Sequence, residues 1–329
     1  MKLIITIDTE EDNWDRYSAT DNPVSNIDRI PALQSLFDEF GVRPTYLVTY
    51  PVAANPRSVE ILKRILDEGK CEIGTHCHPW NTPPFDEKCA ITEWDTMLCN
   101  LPEEIVHQKL TVLHDTICKN FEIVPVSFRS GRFGFSPAVA DSLCRLGYLA
   151  DTSVTPFINW QSSHGPDYFN FGPEPFRFGP AGLSRNNKKG PLLEVPVTIG
   201  FHQTNFHLCR FLIRATGHRL SARINLRGIL FCLRLLNQFW LSPEVADADA
   251  MIRLARRMEK NKYPALNLTF HSTSLKNGLS PFVKSHADEN QFFDKIRSFL
   301  DHARNAGWES VTLAEFEKTT KTPPSVPDH

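Results

Sequence analysis

The sequence predicts an α/β fold: a parallel sheet flanked by helices, open or closed into a barrel. Three observations lead there. Short apolar runs alternate along the chain with helical patterns, the mark of strand–helix–strand units. The chain has 329 residues and is 41% hydrophobic and 22% charged, ample core for one large domain or two ordinary ones. Acids, histidines and an arginine fall at the ends of several apolar runs, where parallel α/β folds gather their chemistry.

The elements follow in order. "KLIITI" is a strand. "NIDRIPALQSLFDEFG" has apolar residues at three- and four-residue steps and closes on glycine, as a helix does. "PTYLVTY" is the next strand, and "PRSVEILKRILDEGK" a helix with proline in its first turn. "CEIGTH" is a strand, "PEEIVHQKLTVLHDTICKNF" a helix, "IVPVSFR" a strand and "SPAVADSLCRLG" a helix. "PLLEVPVTI" and "PALNLTFH" are strands, "ADENQFFDKIRSFLDHARNAG" is an amphipathic helix, and "ESVTLAEF" is a last strand running into a helical turn. "KTTKTPPSVPDH" is polar and proline-rich and reads as a disordered tail.

Composition excludes little beyond this. The formal net charge of −2 argues neither for nor against a charged partner. No apolar run reaches the roughly 18 residues of a spanning helix. "MKLIITIDTEED" reads as a strand that begins at once, not as a signal peptide. The cysteines show no CxxC pair, which suits reduced thiols in a cytoplasmic protein. No nucleic-acid-binding motif is visible.

"CEIGTHCHPW", residues 71–80, carries His76 and His78 at a strand end. Side chains two apart in an extended chain share a face, so the two imidazoles can grip one ion. His-x-His pairs also arise by chance, and the strand ends decide between the readings. "IDTEED", "THCHP", "FRSGRFG" and "TFHS" all end strands on one rim. A carboxylate and two imidazoles make a three-ligand set for a catalytic divalent ion. Cys77 faces the other way, as core filler.

A strand-end Asp, a His pair followed by Pro, an Arg-x-x-x-x-Gly turn and Leu-x-Leu-x-x-His occur here in that order. Together they resemble the NodB-homology polysaccharide deacetylases, carbohydrate esterase family 4. "GTHCHPWNTPPF", "RSGRFG", "DTSV", "LLEVPVT" and "FHSTSLKNGLSPF" resemble its WalW-type branch. The resemblance implies a distorted (β/α) barrel, here over residues 1–318; the sequence itself adds a basic helical insertion at about 202–262 and a tail at 319–329. The resemblance also implies a hydrolase that removes an N-acetyl group from a sugar of a surface polysaccharide or its precursor. Asp8 is then the base, His76 and His78 are metal ligands, Arg129 is the partner of the base and His271 the acid.

Three departures from the family pattern stand out. Thr9 fills the place of a second aspartate, so Glu10 is taken as the metal carboxylate, with Glu11 and Asp12 as substitutes or exposed loop acids. The histidines are two apart where the family has four. The Arg-x-Pro-Tyr turn is Arg129-Ser130-Gly131-Arg132; the backbone N–H at 132 can face an oxyanion, and the Arg132 side chain is either a substrate donor or a surface salt bridge. Zinc suits the ligand types; iron, cobalt and manganese also suit a His/carboxylate site. Asp151 touches the site or caps a turn. Glu194 orients His271 or forms a buried pair elsewhere. Trp80 and Phe85 are a sugar-facing wall or core. Two other functions share these residues: an amidohydrolase of a small non-sugar amide, and an inactive glycan-binding protein.

Between Glu194 and Glu244 no acidic residue occurs, while Arg210, Arg214, Arg219, Arg223, Arg227 and Arg234 lie among leucines and phenylalanines. This reads as a basic amphipathic insertion. It is a solvated outer layer, or it contacts an anionic membrane surface or a lipid-linked sugar, placing a cytoplasmic enzyme at the periphery of the inner membrane.

Overall fold

A computed structural model describes residues 1–85, 91–184, 189–216 and 226–321. Its strands are β1 (Lys2–Thr9), β2 (Thr45–Val48), β3 (Glu72–Cys77), β4 (Ser127–Ser130), β5 (Ala150–Asp151), β6 (Phe176–Phe178), β7 (Leu192–Glu194), β8 (Ile199–Phe201), β9 (Gln238–Trp240), β10 (Ala265–His271) and β11 (Glu309–Ser310). The main sheet has nine strands in the order β10-β1-β2-β3-β4-β5-β7-β6, with β11 paired to β1. Every pairing is parallel except β6 on β7. The sheet curls into the distorted barrel that the alternation and the motifs led us to expect. Main-chain bonds tie its β10 edge to residues flanking the separate β8–β9 pair: Thr198 N–H donates to the Asn267 carbonyl at 3.1 Å, and Thr269 N–H to the Leu241 carbonyl at 3.1 Å.

Registry puts the chemistry on one level. Asp8 lies opposite His271, and His76 opposite Arg129. β1 and β10 are buried along nearly their whole length, as sheet strands covered by helices are.

The long predicted helices form, and local residues explain their ends. Helix α1 (Ile30–Phe40) stops at Gly41, whose φ of 64° suits glycine. After the short α2 (Tyr50–Ala54), Asn55 caps α3 (Pro56–Asp67). Helices α4 (Glu103–Phe121) and α5 (Pro137–Arg145) follow.

The region read as an insertion divides. Helices α6 (Phe206–Thr216) and α7 (Leu226–Cys232) pack on one another. Helix α8 (Ala248–Lys260) buries Met251, Leu254, Ala255 and Met258 against the core and packs on the β8–β9 pair. It is therefore part of the domain's own layer. Arg219 and Arg223 lie outside the described residues.

Helix α9 (His286–Asn305) opens on a reciprocal Ser285–Asp288 capping box. Helix α10 (Leu313–Lys321) runs past residue 318, where a tail was expected to begin; residues 322–329 lie outside the described set. β5, β6 and β9 went unread, and the one strand expected over "PLLEVPVTI" covers β7 and only the first residue of β8. Among the described residues no helix is long and apolar enough to cross a membrane.

Candidate active site

Three side chains converge first. One donor atom from each of Glu10, His76 and His78 lies within 4.8 Å of the others, and all three residues are buried. Glu10 Oε2 is 3.4 Å from His78 Nε2 and 3.9 Å from His76 Nε2. The two Nε2 atoms face each other at 3.0 Å.

The second ring nitrogens set the tautomers. His76 Nδ1 is 3.1 Å from the Arg129 carbonyl, and a carbonyl can only accept. His78 Nδ1 is 2.9 Å from a Glu11 carboxylate oxygen. Both Nδ1 atoms therefore donate, which leaves Nε2 of each neutral ring as the atom that can bind an ion. Burial lowers His78, but Glu11, Glu10 and Asp8 outweigh it and raise the ring above the ordinary imidazole range; a bound cation reverses that. Two ligands at about 2.0–2.1 Å from a tetrahedral ion stand roughly 3.3 Å apart. Burial draws His76 down to about 3, so its ring is neutral, as a metal ligand must be. Burial pushes Glu10 up to about 8 against the pull of His271 and His78, with Glu11 and Asp8 adding to the rise; a cation among the three donors reverses that. The residues present fit a divalent metal ion.

Asp8 and Arg129 form the second group. Arg129 is fully buried and donates to Asp8 at 2.5 Å, Thr269 at 2.8 Å, Thr6 at 2.6 Å and Thr152 at 3.1 Å. A buried guanidinium needs this many acceptors. Burial raises the Asp8 carboxyl, but Arg129, His76 and His271 outweigh it and hold the group at about 2. Asp8 is thus ionised, with its second oxygen 3.9 Å from His76 Nε2 and 3.7 Å from His271 Nε2.

His271 closes the cleft from β10. Its partner is Glu244, which accepts from Nδ1 at 3.0 Å and from the His271 backbone N–H at 3.0 Å. Burial lowers the imidazolium, but Glu244, Glu10 and Asp8 outweigh that and push it up to about 10. Trp14 packs edge-on against the ring at 4.8 Å. Sequence reasoning missed Glu244, whose only signal is that it is the first acid after the acid-free stretch.

The structure decides between the alternative readings of the supporting residues. Glu194 does not reach His271; it forms a buried carboxyl pair with Asp151, and burial and Asp151 raise it well above the usual carboxylate range. Asp151 is fully buried and accepts from Ser153 at 2.7 Å, so it sits behind the site, not in the cleft. Glu11 is the partner of His78 and not a substitute ligand. The Asp12 carboxylate clasps Ser25 and Asn26, which makes it a loop brace.

The cleft walls are aromatic and basic. Trp80 stacks on His78 at 4.1 Å, and Tyr17 meets Trp80 edge-on at 5.0 Å. The Arg132 guanidinium lies over the Tyr17 ring at 5.2 Å and donates to Thr96. Arg132 and Phe133 both hold left-handed backbone, φ 51° and 58°, and strain of about 1 kcal/mol or more per residue concentrates at functional sites. Trp80, Arg132 and Phe133 line the cleft with Asp8, Glu10, His76, His78 and His271. Phe85 stands apart, with Lys109 over its ring at 5.4 Å. Gly131 is required: a Cβ there would meet the Cys77 carbonyl and His78 Cδ2, each at 2.6 Å.

The solved structures similar to the whole chain include the following two. A candidate polysaccharide deacetylase from Mycobacterium smegmatis aligns over 100% of this chain and 93% of its own, with a TM-score of 0.55 at 15% identity. The fold is that of the polysaccharide deacetylases. A candidate glycoside hydrolase/deacetylase from Parabacteroides distasonis shares this deacetylase fold, with a TM-score of 0.58 at 12% identity over 97% of this chain and 71% of its own. No family model matches the sequence, and no curated protein matches it. On the deacetylase fold, the cleft described above lies at the carboxyl ends of β1, β3, β4 and β10.

Proposed function

We propose that the chain is a metal-dependent hydrolase that removes the N-acetyl group from a sugar of a surface polysaccharide or its precursor. The observation that carries this is the meeting, in one cleft, of a Glu–His–His donor set, an Arg-held carboxylate and a Glu-held imidazolium. Glu10, His76 and His78 hold the ion, and zinc suits these ligand types. When bound, the ion supplies Lewis acidity toward a carbonyl and acidifies water.

The chain's own residues divide the proton work. Asp8, ionised beside Arg129, accepts a proton from the attacking water. His271, kept cationic by Glu244, donates one to the departing nitrogen. Glu11 and the Arg129 carbonyl hold the ligand imidazoles in the tautomers the ion needs. Trp80 and Tyr17 offer ring faces suited to a sugar. The strings "DTSV" and "FHSTSLKNGLSPF" support the WalW-type branch. Seven free cysteines among the described residues suit a reducing, cytoplasmic setting.

The test is metal content of the purified protein, followed by acetate release from a panel of N-acetylglucosamine oligomers. Bound metal with acetate release is expected. Metal without acetate release turns the assignment toward a small non-sugar amide. A protein that takes up no metal is a glycan-binding module, and the proposal fails.

A further inference from the structure

Helix α6 carries two apolar stripes. Phe206, Cys209 and Ile213 are buried against the core. Leu208 and Phe211 point the other way, 53% and 66% exposed. Ile229 of α7, and Leu233 and Leu235 just beyond it, are 48%, 61% and 54% exposed. Five large apolar side chains left in water on two packed helices and the residues just after them are not scattered surface residues.

The stretch of sequence that carries them is basic, although Glu174 lines the groove beside Arg210. No acid occurs from residue 195 to 243, while Arg210, Arg214, Arg219, Arg223, Arg227 and Arg234 do. Arg210 and Arg214 flank the exposed stripe of α6: Arg210 donates to the Asn170 carbonyl at 3.2 Å, and Arg214 lies over Phe169 at 5.4 Å. A second copy of the chain is a poor cover, since a two-fold contact would set arginines against arginines. Apolar side chains flanked by Arg210 and Arg214, in a stretch of sequence without acids, match a bilayer interface with anionic headgroups.

We infer that the outer face of α6 and α7 docks the protein on an anionic membrane surface. Phe211, Leu208, Leu233 and Leu235 enter the boundary between headgroups and acyl chains. The arginines pair with phosphate. This goes beyond the hydrolase reading and does not depend on it, because docking is read without activity.

The experiment co-sediments the full-length protein with vesicles of phosphatidylcholine alone, or of phosphatidylcholine mixed with phosphatidylglycerol. Binding is expected to the mixed vesicles only, and it weakens as salt rises, since screening acts over about 10 Å at 0.1 M. Arg210→Gln with Arg214→Gln lowers the partition constant roughly tenfold or more. Phe211→Ser with Leu233→Ser lowers it to a similar degree. Both variants keep the parent's metal content and thermal midpoint. Equal binding to the two vesicle types, or none to either, overturns docking. So does a concentration-dependent dimer in sedimentation velocity that the Phe211 and Leu233 changes abolish, because the face then belongs to a second copy.

Discussion

Glu244 grips His271 at two points, one carboxylate oxygen accepting from the backbone N–H and the other from ring Nδ1, each at 3.0 Å. Ser274 also donates to this carboxylate at 2.6 Å. The ring is thereby aimed, Nε2 foremost, at the Asp8 side of the cleft.

That grip fixes a pH limb. His271 titrates near 10, so its cationic form is present below that pH and is lost as pH rises through it. Glu244→Gln removes the main charge that raises it. In the variant, the alkaline limb of the rate profile moves to lower pH and turnover at neutral pH falls, while metal content stays that of the parent. A limb that does not move assigns Glu244 a purely structural part.

Asp8→Asn keeps shape and removes the proton acceptor. Hydrolysis falls by about 10²–10⁴, and the metal stays bound, as measured by metal analysis of the purified variant. A variant with the parent's rate removes Asp8 from the role of base.

Arg129→Met leaves the buried Asp8 carboxylate without its counter-charge. Breaking such a pair costs about 3–5 kcal/mol, read by denaturant unfolding. The sign in acid follows from Asp8, held near 2 against an ordinary 3.8. Its stabilising share is present above pH 3.8 and is lost as pH falls through about 2. The variant's stability falls less than the parent's across that window.

Gly131→Ala tests the packing behind the ligands. The added Cβ collides with the Cys77 carbonyl and with His78 Cδ2. The Cys77 backbone cannot yield cheaply, so His78 is displaced. Metal affinity drops by roughly 10–100-fold, read by titration with a chelator. His78→Ala, which removes the ligand itself, loses the ion and the activity with the fold retained.

Glu194 shares burial with Asp151 and is held protonated. A raised carboxyl stabilises fully below its unfolded value of 4.5 and loses that share as pH rises through its folded value. Glu194→Gln keeps the size and the donor without the charge. Its thermal midpoint therefore declines less than the parent's on the alkaline side, whereas Glu194→Ala lowers the midpoint at every pH.

The residues of β1, β3, β4 and β10 were legible because each long strand announces its own end, and parallel pairing then sets those ends side by side. Asp8, His76, His78, Arg129 and His271 are strand-end residues by local pattern alone. The two-residue step from His76 to His78 fixed their shared face through the period of an extended chain. The acid-free run of arginines was equally plain in the sequence.

Partners across the fold were decided only by tertiary structure. Glu244 reaches His271 from 27 residues away, through main chain that bonds Leu241 to β10, and no local period encodes that approach. Glu11 and Asp12 are neighbours in sequence, yet one braces a ligand histidine and the other a loop. Asp151 faces Glu194 because β5 lies beside β7 in parallel register, which buries both acids away from the cleft. Local composition specifies which side chains exist at a strand end. Burial, charge and partner choice at each one depend on what the rest of the chain brings against it.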